Sequence, residues 1–187
     1  MTDLYHFSEE PGIECFVPRP VAVPSERAVG EEWLNAPLVW AIDAWHSAMY
    51  LFPRECPRIL LWPVSSTSES DRERWFGLTS ARMIAYIEWA WLGRLRDAQL
   101  YRYQLPSASF VDLNDAGMWV SQHAVMPDAV ARLDNLPAEL AAAGVELRVT
   151  RSLLPLRDLW ETTSLHVSGI RLRNAEGWGR PSRAGGP

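Results

Sequence analysis

Proline and other turn residues divide the chain into short apolar runs, and this division favours short strands and helices. LYHF alternates as a strand and is followed by the turn EEPGIE. PLVWAID is a second apolar run, and it ends in Asp43, a residue type that caps helices. AWHSAMYLF is then typical of two helical turns, and PRECPRILLWPV of a strand with proline at both ends.

The second half of the chain repeats this mixture of short elements. LYRYQL, SFVDL and MWVS alternate as strands, and Asn114, Asp115 and Gly117 mark the turn before the last of them. PAELAAAG predicts a small helix, VELRV a strand, LLPLRDLWETTS a helix and LHVSGIRLRN a last strand. We therefore expect a single α+β domain over residues 1–176, and the Gly-, Pro- and Arg-rich residues 177–187 as a disordered tail.

The middle of the chain carries the strongest helix signal. Ser70 and Glu73 have the spacing of a capping box, so a helix should begin near Asp71. The apolar residues of TSARMIAYIEWAWLG crowd most of a helical circumference, and Gly93 is placed as a C-terminal stop. This segment is expected to form the most buried helix of the fold.

Composition excludes several classes of function. The formal net charge is -5, and all 18 basic residues are arginine, so neither a cationic nucleic-acid-coating face nor lysine chemistry is expected. The two cysteines have no CxxC spacing, which suits a reduced, cytoplasmic protein. Apolar runs stop short of the roughly 20 residues that span a bilayer, so no membrane association is expected.

Common catalytic motifs are missing from the sequence. It contains no GxGxxG, GxxxxGK or GxSxG pattern, and its four histidines have no metal-site spacing, so no metal is expected. The ten tryptophans are the compositional outlier. Most are expected in the core, but several near one cleft would stack on a flat ring, which indicates a nucleotide or a small aromatic metabolite as partner.

Two short motifs near the N-terminus resemble a known superfamily. Tyr-His-Phe-Ser on the first strand, and VWAID leading to AMYLFP, look like the first two motifs of the ADP-ribosyltransferases, in particular their small bacterial members. LHVSGIRLRNA is similar to the end of an uncharacterised bacterial family related to them. The resemblance implies mixed and antiparallel sheets around a cleft with short helices. It also implies an enzyme that binds NAD or a related nucleotide and acts at the ribosyl bond.

The same resemblance implies roles for particular residues. The strand histidine, His6, would hold the hydroxyls of the nicotinamide ribose, and Tyr50 or Trp45 would stack on the nicotinamide. His6 and Tyr50 should then border one cleft. Further residues of the motifs, and one arginine between the first two of them, would line the nucleotide: Phe7, Ser8, Arg19, Trp40 and Ser121.

The third motif of these enzymes departs from the pattern in this chain. It normally supplies a glutamate that stabilises the ribosyl cation, and the matching strand MWVSQHAV offers Gln122 and His123 instead. Side chains alternate along a strand, so Ser121 and His123 share one face and Gln122 takes the other. Either residue is a candidate catalytic group, and NAD cleavage should be slow or absent.

Other interpretations of the same residues stay open. His6 is also explained as a packed core histidine whose neutral ring donates to a carbonyl. The cleft could belong to a binding module that has lost turnover, or to a tailoring enzyme that acts on a small molecule without NAD. The sequence indicates no oligomeric state.

Overall fold

A computed structural model describes residues 2–21 and 29–179 of the chain. The described residues form ten strands, and most of these strands are four to six residues long. In chain order they are β1 (Leu4–Ser8), β2 (Val39–Asp43), β3 (Arg58–Trp62), β4 (Met83–Glu88), β5 (Leu100–Leu105), β6 (Val111–Asp112), β7 (Met118–Ser121), β8 (Ala129–Leu133), β9 (Val145–Thr150) and β10 (His166–Ile170).

Helices are short throughout the described residues. The α-helices are α1 (Glu69–Phe76), α2 (Trp89–Asp97), α3 (Leu136–Ala142) and α4 (Leu159–Thr162). Five 3-10 helices accompany them: Glu32–Asn35, Ser47–Tyr50, Ser107–Ser109, Leu154–Leu156 and Leu172–Asn174. None of the helices in residues 2–21 and 29–179 combines the length and the apolar character that a membrane span needs.

Backbone contacts group the chain into two compact units. Unit 1 comprises Met1–Leu51 and Gln99–Asp134, and unit 2 comprises Phe52–Ala98 and Asn135–Pro187. Each unit contains one β-sheet. The expected single domain over 1–176 stays a prediction, and most of the expected disordered tail, residues 180–187, lies outside the described residues.

Unit 1 is built on a six-stranded antiparallel sheet with the order β6-β7-β2-β1-β5-β8. The alternating patterns of its strands place one set of side chains in a buried cluster on one face of the sheet. That cluster consists of Leu4, Phe16, Val39, Ala41, Tyr103, Leu105, Phe110 and Val125. β1, which carries the predicted first motif, is therefore a central strand with neighbours on both sides.

Unit 2 contains a four-stranded sheet with the order β10-β3-β4-β9, in which β4 and β9 are parallel and the other pairs are antiparallel. Its central strand β4 lies inside the segment that was expected to be the most buried helix. That expectation is wrong: only Trp89–Asp97 is helical, and Gly93 lies within this helix. A continuous apolar run suits a strand with both faces covered as well as a buried helix, and four of the six β4 residues are 0 % exposed.

Three smaller expectations also need correction. α1 begins two residues before the expected position, because Ser68 and not Ser70 is its N-cap. The Ser68 hydroxyl accepts the amide hydrogen of Asp71 at 3.2 Å. AWHSAMYLF forms a turn and the 3-10 helix Ser47–Tyr50. LLPLRDLWETTS contains only Leu154–Leu156 and the single turn of α4. The α+β class, with two sheets and short helices, is confirmed.

Candidate ligand-binding site

The two faces of β1 separate the predicted site residues of unit 1. The register between β1 and β5 is unbroken from Leu4 to Ser8, so neighbouring side chains point to opposite sides of the sheet. Leu4, His6 and Ser8 share the face that carries the buried cluster, which we call the His6 face. Tyr5 and Phe7 share the other face, which we call the Tyr50 face for the residue packed on it.

His6 is held on its face by a hydrogen bond to the backbone. Its Nδ1 lies 2.9 Å from the carbonyl oxygen of Trp40. A carbonyl only accepts, so Nδ1 carries the hydrogen and Nε2 is the acceptor nitrogen of the neutral ring. The ladder between β1 and β2 pairs only Leu4 and Tyr5, so the imidazole bonds to β2 where the strand pairing has ended.

Packing around His6 resembles that of a core residue. Its ring lies 4.7 Å from the ring of Phe16, which in turn meets Tyr103 edge-on at 5.2 Å. Tyr103 is 1 % exposed, whereas His6 is half-buried. This environment agrees with the interpretation of His6 as a packed histidine that donates to a carbonyl.

Two predicted binding serines lie on the His6 face. Ser8 and Ser121 are 6 % and 2 % exposed, and Ser121 is opposite Val39 of the buried cluster. The Ser8 hydroxyl accepts the amide hydrogen of Glu10 at 3.0 Å. The Ser121 hydroxyl donates to that of Ser109 at 3.1 Å. Both hydroxyls therefore stabilise local turns.

Tyr50 lies on the opposite face from His6. Its ring stacks on Phe7, with centroids 6.3 Å apart and planes 17° apart, and its hydroxyl donates to the sulfur of Met118 at 3.4 Å. Trp40 packs on the same face with Val120 and neighbouring leucines. The expectation that His6 and Tyr50 border one cleft is wrong, because the stacking partner of Tyr50 is the residue next to His6 on an alternating strand.

The remaining predicted residues lie outside the strands. β7 ends at Ser121, so Gln122 and His123 are exposed in the following bend, where the amide of His123 donates to the Ser121 hydroxyl at 3.1 Å. The expected alternation of these side chains is wrong, because the strand does not continue past Ser121. Arg19 is exposed, and its backbone pairs with that of Leu38.

A pair of residues that the sequence interpretation did not single out lies at the end of β2. Nδ1 of His46 is 2.9 Å and 3.0 Å from the two carboxylate oxygens of Asp43, and the amide of His46 donates to the same carboxylate at 2.7 Å. The side chains of His46 and Asp43 are 20 % and 22 % exposed. A histidine three residues after a strand-ending aspartate is the sequence signal that could have found it.

The Asp43–His46 pair is fitted closely against the β6–β7 turn. Gly117 in this turn has φ +73°, and its carbonyl accepts the amide hydrogen of Asp43 at 2.9 Å. A Cβ at position 117 would lie within 2.6 Å of an Asp43 oxygen and closer still to Nδ1 of His46. Trp45 lies beside the pair, with its ring edge-on to His46 at 4.5 Å and 43 % exposed.

Three polar residues of unit 2 are more completely buried than the Asp43–His46 pair. Cys56, Arg58 and Glu88 are 0 %, 2 % and 4 % exposed. Burial raises the pKa of the Cys56 thiol to about 12, with Arg58 lowering it and Glu88 raising it by smaller amounts. Within the part of the chain that the structure describes, His, Cys, Asp and Glu side chains form no group of three that could bind a metal ion.

Comparison with protein families matches residues 5–175 to a model described as "Family of unknown function (DUF6886)". The chain belongs to this family. The match runs from within β1 to beyond the end of β10, so it includes parts of both units and every predicted site residue. No curated protein and no solved structure matches the chain.

Proposed function

We propose that this DUF6886 family member binds NAD or a related nucleotide on unit 1, with His6 as the contact to a ribose hydroxyl. The observation that supports it is the hydrogen bond between Nδ1 of His6 and the Trp40 carbonyl, which fixes the orientation of the ring. A neutral imidazole that donates through Nδ1 has its acceptor at Nε2, so a ribose hydroxyl would be the donor in the proposed contact.

The base or nicotinamide of the ligand needs an aromatic surface other than Tyr50. Tyr50 packs on the Tyr50 face against Phe7, so it does not share a face with His6. The His6 face carries the partly buried rings of Tyr101 and Trp119, whereas Phe16 belongs to the buried cluster and is only 9 % exposed. The contact that we propose is therefore centred on His6 and one of these two rings, with Phe16 as structural support.

Cleavage of the bound nucleotide is a separate question from its binding. Ribosyl transfer passes through a cation-like transition state, and a carboxylate beside it supplies the stabilisation. Gln122 and His123 carry no carboxylate and lie in the exposed bend after β7. This placement favours a nucleotide-binding module over an efficient ADP-ribosyltransferase-like enzyme.

Calorimetric titration with NAD, ADP-ribose and nicotinamide tests the binding part. Wild type should bind NAD and ADP-ribose, and His6→Ala and His6→Phe should bind each at least about tenfold more weakly, the equivalent of one hydrogen bond. Asp128→Asn, which changes one exposed charge of unit 1, is the control and should bind like wild type. If wild type binds neither nucleotide, the proposal fails, and a small-molecule enzyme without NAD becomes the better interpretation.

Release of nicotinamide from NAD tests turnover. We expect slow or no release by wild type and no gain in Gln122→Glu or His123→Glu, because both positions lie beyond the end of β7. A gain of about tenfold or more in either variant, comparable to one restored transition-state contact, would favour the enzyme. Rapid release by the wild type would rule out the binding module.

A further inference from the structure

We propose that Arg102 of β5 binds the carboxylate of a flat aromatic acid on the Tyr50 face of the unit 1 sheet. This site lies on the opposite face from His6 and shares no residue with the proposed nucleotide contact. Its members are residues of β1, β5 and β8, and continuous strand pairing fixes their register. The proposal therefore stands or falls separately from nucleotide binding.

Arg102 differs from the other arginines that the fold removes from solvent. Among residues 2–21 and 29–179, the other arginines that are not exposed each donate a hydrogen bond to an oxygen of the protein: Arg58, Arg82, Arg148, Arg157 and Arg171. Arg102 is half-buried, and in the same part of the chain its guanidinium has no hydrogen bond and no ion pair. A charge that is partly removed from water without a partner costs free energy, so an anion that pairs with it is stabilised there.

Aromatic and small residues surround Arg102 on the sheet. Directly opposite residues of a ladder share one face, and Phe7 of β1 and Ala131 of β8 lie opposite Arg102. Tyr5 shares this face, two residues before Phe7. The guanidinium carbon of Arg102 lies 5.0 Å from the centroid of the Tyr5 ring, a cation–π contact that orients the arginine. The guanidinium is therefore held beside an aromatic surface before a ligand binds.

The charge of the ligand follows from the composition of this face. Every other strand residue that the ladders of unit 1 place on it is uncharged. The exposed carboxylate of Asp3, just before β1, accepts from Gln104 at 3.3 Å and does not pair with Arg102. A single guanidinium balances one negative charge, and its planar N–H groups match the two oxygens of a carboxylate. A carboxylate is therefore the anion that fits this site.

The shape of the ligand follows from the direction in which Arg102 leans. Its head group lies over Tyr5, one step along the sheet, and so does not fill the space between Phe7 and Ala131. Ala131 has only a methyl group, and the half-buried ring of Phe7 is fixed by its stack on Tyr50. A flat ring placed between Phe7 and Ala131 packs against the Phe7 side chain and brings its carboxylate to the guanidinium.

Titration calorimetry with 2-naphthoate, a flat aromatic carboxylate, tests the site, and 2-naphthamide is its uncharged counterpart. Wild type should bind 2-naphthoate at least about tenfold more tightly than 2-naphthamide, because only the carboxylate pairs with Arg102. Arg102→Gln should remove this preference by weakening the binding of 2-naphthoate alone. Phe7→Leu should weaken the binding of both compounds by a similar factor of about three or more, because it removes the ring contact and keeps the charge.

Controls separate this role from a structural one. Arg132→Gln is the matched variant, since Arg132 is exposed on β8 and lies on the His6 face opposite Tyr101. It should bind 2-naphthoate like wild type, and Arg102→Gln should keep the circular dichroism spectrum of wild type. In 1H–15N NMR spectra of wild type, 2-naphthoate should shift the Nε–H resonance of Arg102 and leave that of Arg132 in place.

Three results would overturn the proposal. They are no binding of 2-naphthoate by wild type, equal affinity of wild type for the two compounds, and undiminished binding of 2-naphthoate by Arg102→Gln. The NMR measurement uses wild type only, so it decides the question even if Arg102→Gln does not fold. An Arg102 resonance that stays in place at saturation would contradict the proposed contact.

Discussion

Buried polar groups differ between the two units in how completely they are enclosed. In unit 2, Glu88 is 4 % exposed, and its carboxylate accepts the amide hydrogens of Leu153 and Glu176, all at 3.2 Å. In unit 1, the Asp43 carboxylate is 22 % exposed and accepts from the ring of His46. One carboxylate joins two backbone segments, whereas the other orients a titratable ring.

The degree of enclosure decides which polar groups a ligand can reach. An enclosed carboxylate bonded to backbone amides stabilises the fold, and a ligand reaches it only if the fold opens. The Asp43 carboxylate is 22 % exposed and orients the ring of His46, so this polar pair of unit 1 lies nearer to solvent. We therefore place the proposed nucleotide contact in unit 1 and interpret the buried polar residues of unit 2 as structural.

Removing the Glu88 carboxylate should have the largest effect on stability. Glu88→Ala leaves two amide donors without their acceptor in an enclosed place and creates a cavity, so the free energy of unfolding should fall by about 3 kcal/mol or more. Denaturant unfolding followed by circular dichroism measures this. Glu73→Ala, on the exposed side of α1, is the matched control and should change stability by less than about 0.5 kcal/mol. Equal effects would contradict the structural role of Glu88.

A side chain at Gly117 should disrupt the Asp43–His46 pair. Gly117→Ala adds backbone strain and a contact with both partners, so the cost should be about 2 kcal/mol or more. Gly12→Ala has the matched control geometry, since Gly12 has φ +71° with nothing within 4 Å, and should cost only about 1 kcal/mol of strain. Denaturant unfolding compares the two variants. If they are equally stable, the pair is not held against the turn.

Substitutions of His6 separate its hydrogen bond from its packing. His6→Phe keeps a ring against Phe16 but leaves the Trp40 carbonyl without its donor, which should cost about 1 kcal/mol. His6→Ala loses the ring contact as well, and should cost about 2 kcal/mol. The same unfolding experiment measures both. A His6→Phe protein as stable as wild type would show that the carbonyl bond contributes nothing.

The two cysteines should differ in the rate at which they are alkylated in the native protein. Burial raises the pKa of Cys56 to about 12, so below that pH its thiolate is scarce, whereas Cys15 is exposed. Iodoacetamide should label Cys15 in the native protein and Cys56 only after unfolding, as mass spectrometry of peptides would show. Rapid native labelling of Cys56 would mean that the interior of unit 2 opens readily.

Local pattern was sufficient to predict much of the fold. The alternation of LYHF and MWVS predicted β1 and β7. Asp43 accepts a backbone amide hydrogen as expected, but it does so in a turn and not as the N-cap of a helix. The apolar run that contains β4 could not be resolved, because burial on both faces removes the period that distinguishes a strand from a helix. Its identity depends on β3 and β9, which pair with it from distant parts of the chain.

The site was predicted less well than the strands that carry it. His6 could be chosen from its motif, but the face on which Tyr50 packs depends on a contact with Phe7 that is 43 positions away in the sequence. The faces of Gln122 and His123 could not be derived, because a hydrogen bond to Ser121 ends the strand before them. The Asp43–His46 pair is local, and its three-residue spacing was available from the sequence alone.

15N NMR of the four histidine side chains during titration with ADP-ribose is the most direct test of the proposed nucleotide contact. Each ring nitrogen reports whether it carries a hydrogen and whether its partner changes. We predict that His6 is the Nδ1–H tautomer in the protein without ligand. ADP-ribose should shift its Nε2 resonance, while the His166 resonances stay in place. A titration that leaves His6 unchanged, or that shifts only His166 of unit 2, would contradict a nucleotide contact on unit 1.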